Sequence, residues 1–221
     1  MTIIDKIIKE MKYGICGICG RYSADFLCPK CRSLLTSQSK FEIQHMEKEK
    51  NSFDELFYVF EYHGIIRELI LKYKFGDAAY LYKTFANYII KNEKFFEILR
   101  TYDTIIPVPI SKKRMKQRGY NQSQLITKEI AKNTHLYHEN KCIYKIKDVI
   151  AQSTLNKEQR KMNIKDAYKL KNYQKISNNI KGKKIIIFDD IYTTGSTLNE
   201  CCKLLRQANV EKISALVIAK D

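Results

Sequence analysis

The sequence predicts an α/β fold, a doubly wound parallel sheet with helices on both faces, preceded by a small cysteine-rich module. From about residue 51 onward, apolar runs of strand length alternate with helical stretches, which favours parallel strands joined by helices. Four cysteines lie close together near the N-terminus. A chain of 221 residues can bury one large core and carry one appendage. We therefore expect the module and its linker at 1–50 and the main domain at 51–221.

Each element of the main domain has its own signal. Apolar runs rich in Ile, Val, Phe and Tyr predict strands, and amphipathic stretches predict helices. Pro107 and Pro109 end one of the strands, because proline removes a hydrogen-bond donor and fixes φ. In chain order the sequence predicts a strand at 53–62, helices at 64–75 and 78–99, a strand at 102–110, a helix at 121–133, a strand at 183–190, a helix at 196–209 and a strand at 212–221.

The chain is strongly basic, with 40 Lys and Arg against 24 Asp and Glu and a formal charge of +16. Clustered cations release counterions from nucleic acid, so this charge is typical of a protein with a polyanion partner. Most of the cations are Lys, and the chain is also rich in Ile, Asn and Tyr, as a genome poor in G and C would produce. A charged surface without function is therefore the alternative, and the position of the cations must decide.

The first cysteines have the spacing of a metal site. Cys16 and Cys19, then Cys28 and Cys31, form two C-x2-C pairs separated by eight residues. Four thiolates so arranged can surround a structural zinc and leave no open position for water. Two disulfides are the alternative. The N-terminal segment lacks the apolar core of a secretory signal, and no apolar run reaches the length of about 18 residues that crosses a bilayer, so we expect a cytoplasmic protein with reduced thiols.

The stretch KKIIIFDDIYTTGSTL, residues 183–198, carries the clearest binding signal. In an open α/β sheet, ligands bind beyond the carboxyl ends of the strands, where Asp189 and Asp190 follow the apolar run. Two adjacent carboxylates repel each other, and either a vicinal diol or a magnesium ion would relieve them. The next turn supplies hydroxyls, a glycine and a helix N-terminus, which favour phosphate. The candidate phosphate-binding residues are Thr193, Thr194, Gly195, Ser196 and Thr197.

A diol on the acids and a phosphate on the turn together predict a ribose 5-phosphate moiety as the ligand. The stretch lacks the lysine of a P-loop and the three glycines of a dinucleotide fingerprint, so we do not expect a nucleoside triphosphate site. The apolar strand, DDIYTTGST and the following helix resemble the 5-phosphoribosyl-1-pyrophosphate (PRPP) binding motif of type I phosphoribosyltransferases.

Other segments resemble the ComF family of competence proteins. They are the four-cysteine module, YHGIIRELILKYKFGD, PVPISKKRMKQRGYNQSQLI and QSTLNKEQRKMNIKDAY. The resemblance covers nearly the whole chain, with these segments in the expected order. The sequence departs from the family at Ser111 and Lys112, where a His-Pro pair is expected, and at Ala151, where a Pro is expected. These changes concern the geometry of loops.

The resemblance implies a phosphoribosyltransferase-like fold with a zinc module, and a role with single-stranded DNA in natural transformation. By analogy, the loop after Pro109 would meet the pyrophosphate of PRPP, which carries magnesium. The segment 154–160 resembles the mobile loop that closes over PRPP, so Arg160 is a candidate pyrophosphate contact. An ordinary solvated helix start is the alternative for that segment. Asp189, Asp190 and Arg160 are then the candidate catalytic residues.

Five cations lie beside the expected pyrophosphate loop, and their partner is either pyrophosphate or a DNA backbone. Tyr120 follows them, where it could stack on a base or simply pack against the sheet. The cluster consists of Lys112, Lys113, Arg114, Lys116 and Arg118.

Three functions follow, and the sequence leaves them open. The favoured one is a DNA-uptake factor that retains a PRPP pocket, binds incoming single strands and meets a competence helicase or the membrane uptake machinery. The alternative is a magnesium-dependent transferase that moves ribose 5-phosphate from PRPP to an acceptor, although the sequence marks no base-recognition site. The third is a PRPP-sensing regulator, for which we find no DNA-reading element in the sequence.

Overall fold

The structure is a computed structural model that describes residues 14–23, 27–76, 78–146, 166–171 and 179–221. Within these ranges, no helix has the length and hydropathy that a membrane span requires. In order the elements are β1 (Gly14–Ile15), β2 (Tyr22–Ser23), α1 (Pro29–Gln38), β3 (Ser39–His45), β4 (Glu55–Glu61), α2 (Gly64–Phe75), α3 (Leu81–Lys91), α4 (Glu93–Leu99), β5 (Thr104–Pro107), α5 (Lys112–Arg118), α6 (Gln122–Asn133), β6 (Tyr137–His138), β7 (Ile143–Lys145), β8 (Tyr168–Leu170), β9 (Lys184–Tyr192), α7 (Ser196–Arg206) and β10 (Lys212–Lys220).

Six strands form one sheet in the order β3-β4-β10-β9-β5-β6. The five strands from β4 to β6 are parallel. The edge strand β3 runs antiparallel to β4, with Ser39 opposite Phe60 and His45 opposite Glu55. The sheet is therefore mixed and mostly parallel, not wholly parallel as expected. β3 lies in the polar stretch before residue 50, and an antiparallel edge strand with a solvated face needs few apolar residues.

The central strand β9 shows why helices cover both faces of the sheet. Ile185, Ile186, Ile187 and Phe188 are fully buried, and successive side chains of a strand point to opposite faces. Ile186 and Phe188 join one core with helices α2, α3 and α6, whereas Ile185 and Ile187 join a second core with α7 and the β7-β8 hairpin. The doubly wound arrangement is therefore confirmed.

Two helical regions differ from the prediction. The single helix expected at 78–99 is two helices, because Asn92 ends the first and caps the second by accepting a hydrogen bond from Phe95 N at 3.0 Å. Helix α5 is not predicted, since none of its residues is buried and it shows no apolar period. Its ends are nevertheless well defined: the Ser111 side chain accepts from Arg114 N, and Gly119 ends it with φ 75°.

The cysteine-rich module lies against the main domain. Leu35 of α1 belongs to the same buried core as Phe85 of α3. The hydroxyl of Tyr80, just before α3, donates to the carbonyl of Gly17 at 3.0 Å. Module and main domain therefore share one apolar core and are linked by hydrogen bonds.

Candidate functional site

A cleft of about 510 Å³ lies at the carboxyl ends of the parallel strands. Its lining includes Asp189 and Asp190 of β9, Pro109 after β5 and Asp221 after β10. This is the edge at which an open α/β sheet binds its ligands. The strand predicted at 183–190 continues to Tyr192, beyond both acids. The acid pair is therefore held by the sheet itself.

The hydroxyl-rich turn after β9 forms one wall of the cleft. Helix α7 begins at Ser196, as the sequence predicts, and its N-cap Gly195 makes no side-chain hydrogen bond to the first N–H groups. Gly195 has φ 70°, and a Cβ there would lie 2.7 Å from the ring of Tyr192, so the position requires glycine. All five predicted phosphate-binding residues line the cleft: Thr193, Thr194, Gly195, Ser196 and Thr197.

Asp189 and Asp190 form an acid pair with a cation supplied by the chain. Asp190 N donates to Asp189 Oδ1 at 2.9 Å, and Lys74 Nζ lies 2.8 Å from Asp190 Oδ1. The side chains of Lys74 and Asp190 are only 18% and 13% exposed. Burial, followed by the charge of Asp190, raises the pKa of Asp189 to about 7, although Lys74 and the Asp190 amide oppose the rise. At neutral pH a further donor or cation would favour full ionisation of the pair.

Lys74 is a site residue that the sequence pattern does not single out among the other cations. It lies in the last turn of α2, on the same face as the buried Ile66, Ile70 and Tyr73. A lysine on the buried stripe of a helix needs an anionic partner, because an unpaired charge is costly to bury. The position of Lys74 on the buried stripe of α2 is the sequence signal that could have identified it as a site residue.

The basic cluster divides over two sides of α5. Arg114 and Arg118, four residues apart, line the cleft and are half-buried. Arg118 Nη1 donates to Gln122 Oε1 at 3.0 Å, and burial, followed by the charge of Arg114, lowers the pKa of Arg118. The five cations therefore do not form one site. The other three are exposed to solvent: Lys112, Lys113 and Lys116.

Tyr120 is half-buried and packs against Tyr73. Its ring lies 6.0 Å from that of Tyr73, and its hydroxyl donates to Tyr73 O at 2.7 Å. These contacts agree with the packing alternative for Tyr120. The exposed aromatic ring at the cleft belongs to Phe75 instead.

The four module cysteines converge as their spacing predicts. The sulfurs of Cys16, Cys19, Cys28 and Cys31 lie within 4.8 Å of one another, and all four are free cysteines. Cys19 Sγ is 3.8 Å from Cys28 Sγ. Four sulfurs at about 2.3 Å from a zinc ion form a tetrahedron with edges of about 3.8 Å. The cluster is therefore compatible with structural zinc.

The pKa values of these thiols also favour binding of a cation. Burial opposes ionisation of Cys16, but hydrogen bonds from the backbone amides of Cys19, Cys28 and Ile18 outweigh it and lower the pKa of Cys16 to about 6. Burial and the neighbouring thiols raise the pKa of Cys31 to about 12. The four sulfurs therefore do not all ionise at neutral pH by themselves. A divalent cation among them would stabilise all four thiolates.

Comparison with known proteins agrees with this geometry. The family model for the phosphoribosyl transferase domain matches residues 142–221, which contain the acid pair and the turn. Competence protein F of Haemophilus influenzae is 29% identical over 95% of this chain and 91% of its own length. Competence protein ComFC of Bacillus subtilis is 25% identical over 97% of this chain and 81% of its own. DNA utilization protein YhgH of Escherichia coli is 26% identical over 87% of this chain and 84% of its own length.

This chain is a homologue of the ComF competence proteins. The resemblance stated from the sequence is confirmed, together with its phosphoribosyltransferase domain. The alignment with competence protein F covers almost the whole chain, so the likeness to the ComF proteins extends beyond the matched domain.

The structure does not describe one of the candidate site residues of this ComF homologue. Arg160 and the segment 154–160 lie outside the described residues. Lys145 of β7 and Tyr168 of β8 do line the cleft. The sequence marks neither of them, because the β7-β8 hairpin pairs residues that are far apart along the chain.

Proposed function

We propose that the cleft binds PRPP or a related ribose 5-phosphate ligand. The observation that carries the proposal is the meeting of a partly buried acid pair and a hydroxyl-rich turn in one cleft at the end of β9. The hydroxyls of a vicinal diol would donate to Asp189 and Asp190, and the 5-phosphate would accept hydrogen bonds from residues 193–197. Donors that favour ionised carboxylates would also counter the raised pKa of Asp189.

The pyrophosphate of PRPP would lie toward Arg114 and Arg118, the two cations of α5 that line the cleft. Guanidinium groups bind phosphate oxygens in a fixed fork. Magnesium prefers oxygen ligands, and the carboxylates of Asp189 and Asp190 in the cleft fit that preference. When bound, magnesium would neutralise charge on the pyrophosphate. Because Lys74 already pairs with Asp190, the phosphate oxygens of the ligand would supply most of the ligands to the ion.

The second part of the proposal is a role in natural transformation, in which the protein binds incoming single-stranded DNA. The relatives are named competence proteins and DNA utilization protein. Lys112, Lys113 and Lys116 are exposed outside the cleft, where they can contact DNA phosphates. We expect the protein in the cytoplasm, with a competence helicase or the membrane uptake machinery as its partner.

An active magnesium-dependent phosphoribosyltransferase is the second candidate. The size of the cleft favours it, since about 510 Å³ is within the range of small-molecule sites and an acceptor needs room beside PRPP. Asp189, Asp190 and Arg160 would then be catalytic residues. The reaction would transfer ribose 5-phosphate to the acceptor as pyrophosphate leaves.

Calorimetric titration with PRPP and magnesium tests the ligand. We expect Asp190→Asn to weaken binding about tenfold or more, because a hydrogen bond to a charged group contributes about 1.5 to 3 kcal/mol. Asp103→Asn is the matched control, since Asp103 lies at the amino end of β5 and pairs with Lys183. If Asp189→Asn and Asp190→Asn both bind PRPP with wild-type affinity, the two aspartates do not bind the diol of the ligand.

Isotope tracking of PRPP, with and without single-stranded DNA, separates the two candidates. Pyrophosphate released together with a labelled product would establish the transferase. PRPP recovered intact from protein that also binds the strand would support the uptake factor.

A further inference from the structure

Phe75 is an aromatic ring at the rim of the cleft with most of its surface in solvent. It is the last residue of α2, directly after Lys74, and it is 70% exposed. Ile70 and Tyr73 of the same helix are fully buried. Single exposed apolar residues are common on protein surfaces, so exposure alone assigns no role. The neighbours of the ring distinguish it from such residues.

Arg118 lies against the ring of Phe75. The guanidinium carbon is 4.7 Å from the ring centroid, and Arg118 Nη1 donates to Gln122 Oε1 at 3.0 Å. The hydrogen bond holds the guanidinium in place, so cation and ring form a fixed pair at the rim. The exposed part of the ring is then available to a planar group from solution.

The exposed lysines belong to the same short helix as Arg118. A helix of seven residues is about 10 Å long, which matches about three phosphates of a stacked strand at about 3.4 Å each. Within the described ranges, none of the three forms a salt bridge, whereas Lys132 and Lys203 each pair with a glutamate on their own helix. Uncompensated cations on a helix whose Arg118 contacts an exposed aromatic ring are a combination that binds single-stranded nucleic acid. The three lysines are Lys112, Lys113 and Lys116.

We propose that Phe75 and helix α5 form a docking surface for single-stranded nucleic acid. An unpaired base stacks on Phe75, and phosphates further along the same strand contact the exposed lysines of α5. This inference rests on the DNA-binding part of the proposed function, and it names the element that distinguishes a single strand from a duplex. A paired base presents only its edges in the grooves, so it cannot stack on the ring. Every base has a flat face, so the surface binds without sequence preference.

Fluorescence anisotropy with a labelled short single strand tests the stacking contact. The variants are Phe75→Ala and Phe75→Trp, and the control is Tyr137→Ala, because Tyr137 is 60% exposed but lies on β6. We expect Phe75→Ala to weaken binding about 5- to 150-fold, Phe75→Trp to retain it, and Tyr137→Ala to leave it unchanged. An abasic strand of the same length should bind all of these proteins alike. Melting temperatures of the variants check that each is folded.

The salt dependence of single-strand affinity distinguishes the contribution of the Phe75 ring from that of the lysines. Phe75→Ala should keep the slope of log affinity against log salt, because the ring carries no charge. Lys112→Ala combined with Lys113→Ala should flatten that slope by about one to two units, at about 0.7 per neutralised phosphate. The stacking assignment is overturned if Phe75→Ala binds the ordinary strand like wild type, or loses as much affinity for the abasic strand. A wild-type protein that binds PRPP and no single strand would instead refute the DNA-binding part of the proposed function.

Discussion

The cysteine module and the cleft each contain a group of side chains that repel one another when ionised: four cysteines in the module and two aspartates in the cleft. The two groups differ in the source of the positive charge that balances them. The sulfurs lie within 4.8 Å of one another, and backbone amides stabilise the ionised form of Cys16. The aspartates receive Lys74, whose ammonium lies 2.8 Å from Asp190. A cluster completed by an external ion depends on that ion to fold. A pair completed by its own chain folds without a ligand and can then accept one.

Removing zinc from the cysteine module should have the largest effect of all. Structural zinc contributes on the order of 10 to 16 kcal/mol in comparable peptides, and the module shares the core that contains Leu35 and Phe85. We expect one zinc per chain by metal analysis, and we expect a chelator or Cys28→Ser to lower the melting temperature strongly. Cys142→Ala, buried in the other core, should retain the zinc. Purified protein without zinc, or disulfides among the four cysteines in the cell, would contradict the assignment of these cysteines to a zinc site.

Replacing the internal cation should weaken ligand binding without unfolding the protein. In Lys74→Met, the two aspartates would share a proton at neutral pH and lose an acceptor, so PRPP affinity should fall about tenfold. The loss should shrink as the pH rises above the pKa of Asp189, about 7 in the wild type. Lys72→Met, two residues earlier and exposed, is the calorimetric control. Equal affinities for Lys74→Met and wild type would show that the acid pair needs no cation from the chain.

Gly20 and Gly195 allow the two regions to be compared by one substitution. Their φ angles are 71° and 70°, a conformation that costs a residue with a Cβ about 1 to 2 kcal/mol. A Cβ at Gly20 meets nothing within 4 Å, whereas at Gly195 it would lie 2.7 Å from the ring of Tyr192. In chemical denaturation we expect Gly20→Ala to cost about 1 kcal/mol and Gly195→Ala clearly more. Equal costs would mean that Tyr192 moves aside freely.

Asp189→Asn should change stability in a way that depends on pH. Burial and Asp190 raise the pKa of Asp189 from 3.8 to about 7, so the folded state binds the proton more tightly than the unfolded state. The contribution of Asp189 to wild-type stability should therefore fall as the pH rises from about 4 to about 7. The asparagine side chain of the Asp189→Asn variant does not ionise, so the variant should melt above wild type at about pH 8 and alongside it at about pH 4. A difference that does not vary with pH would have another cause.

The sequence predicts the parts of this molecule that depend on short stretches of chain. β9 is a continuous apolar run, α7 has strong periodicity, and the cysteines and the turn have diagnostic spacing, so local patterns are sufficient for them. Lys74 meets Asp190 only because α2 packs beside the sheet, a contact between distant parts of the chain. The division of the α5 cations also escapes prediction, because the helix has no buried residue to reveal its orientation. β3 is recognised only by its pairing with β4.

The position of β10 has a consequence for the synthesis of the protein. This most C-terminal strand of the sheet lies between β4 and β9, where Ala215 pairs with Leu56 on one side and Ile187 on the other. On the ribosome, β4 and β9 therefore emerge as separate strands, each with an open edge toward the missing one. Such edges pair with other chains and make incomplete proteins prone to aggregate. The sheet closes only when the last strand inserts, so we expect the nascent chain to need protection until translation of β10 is complete.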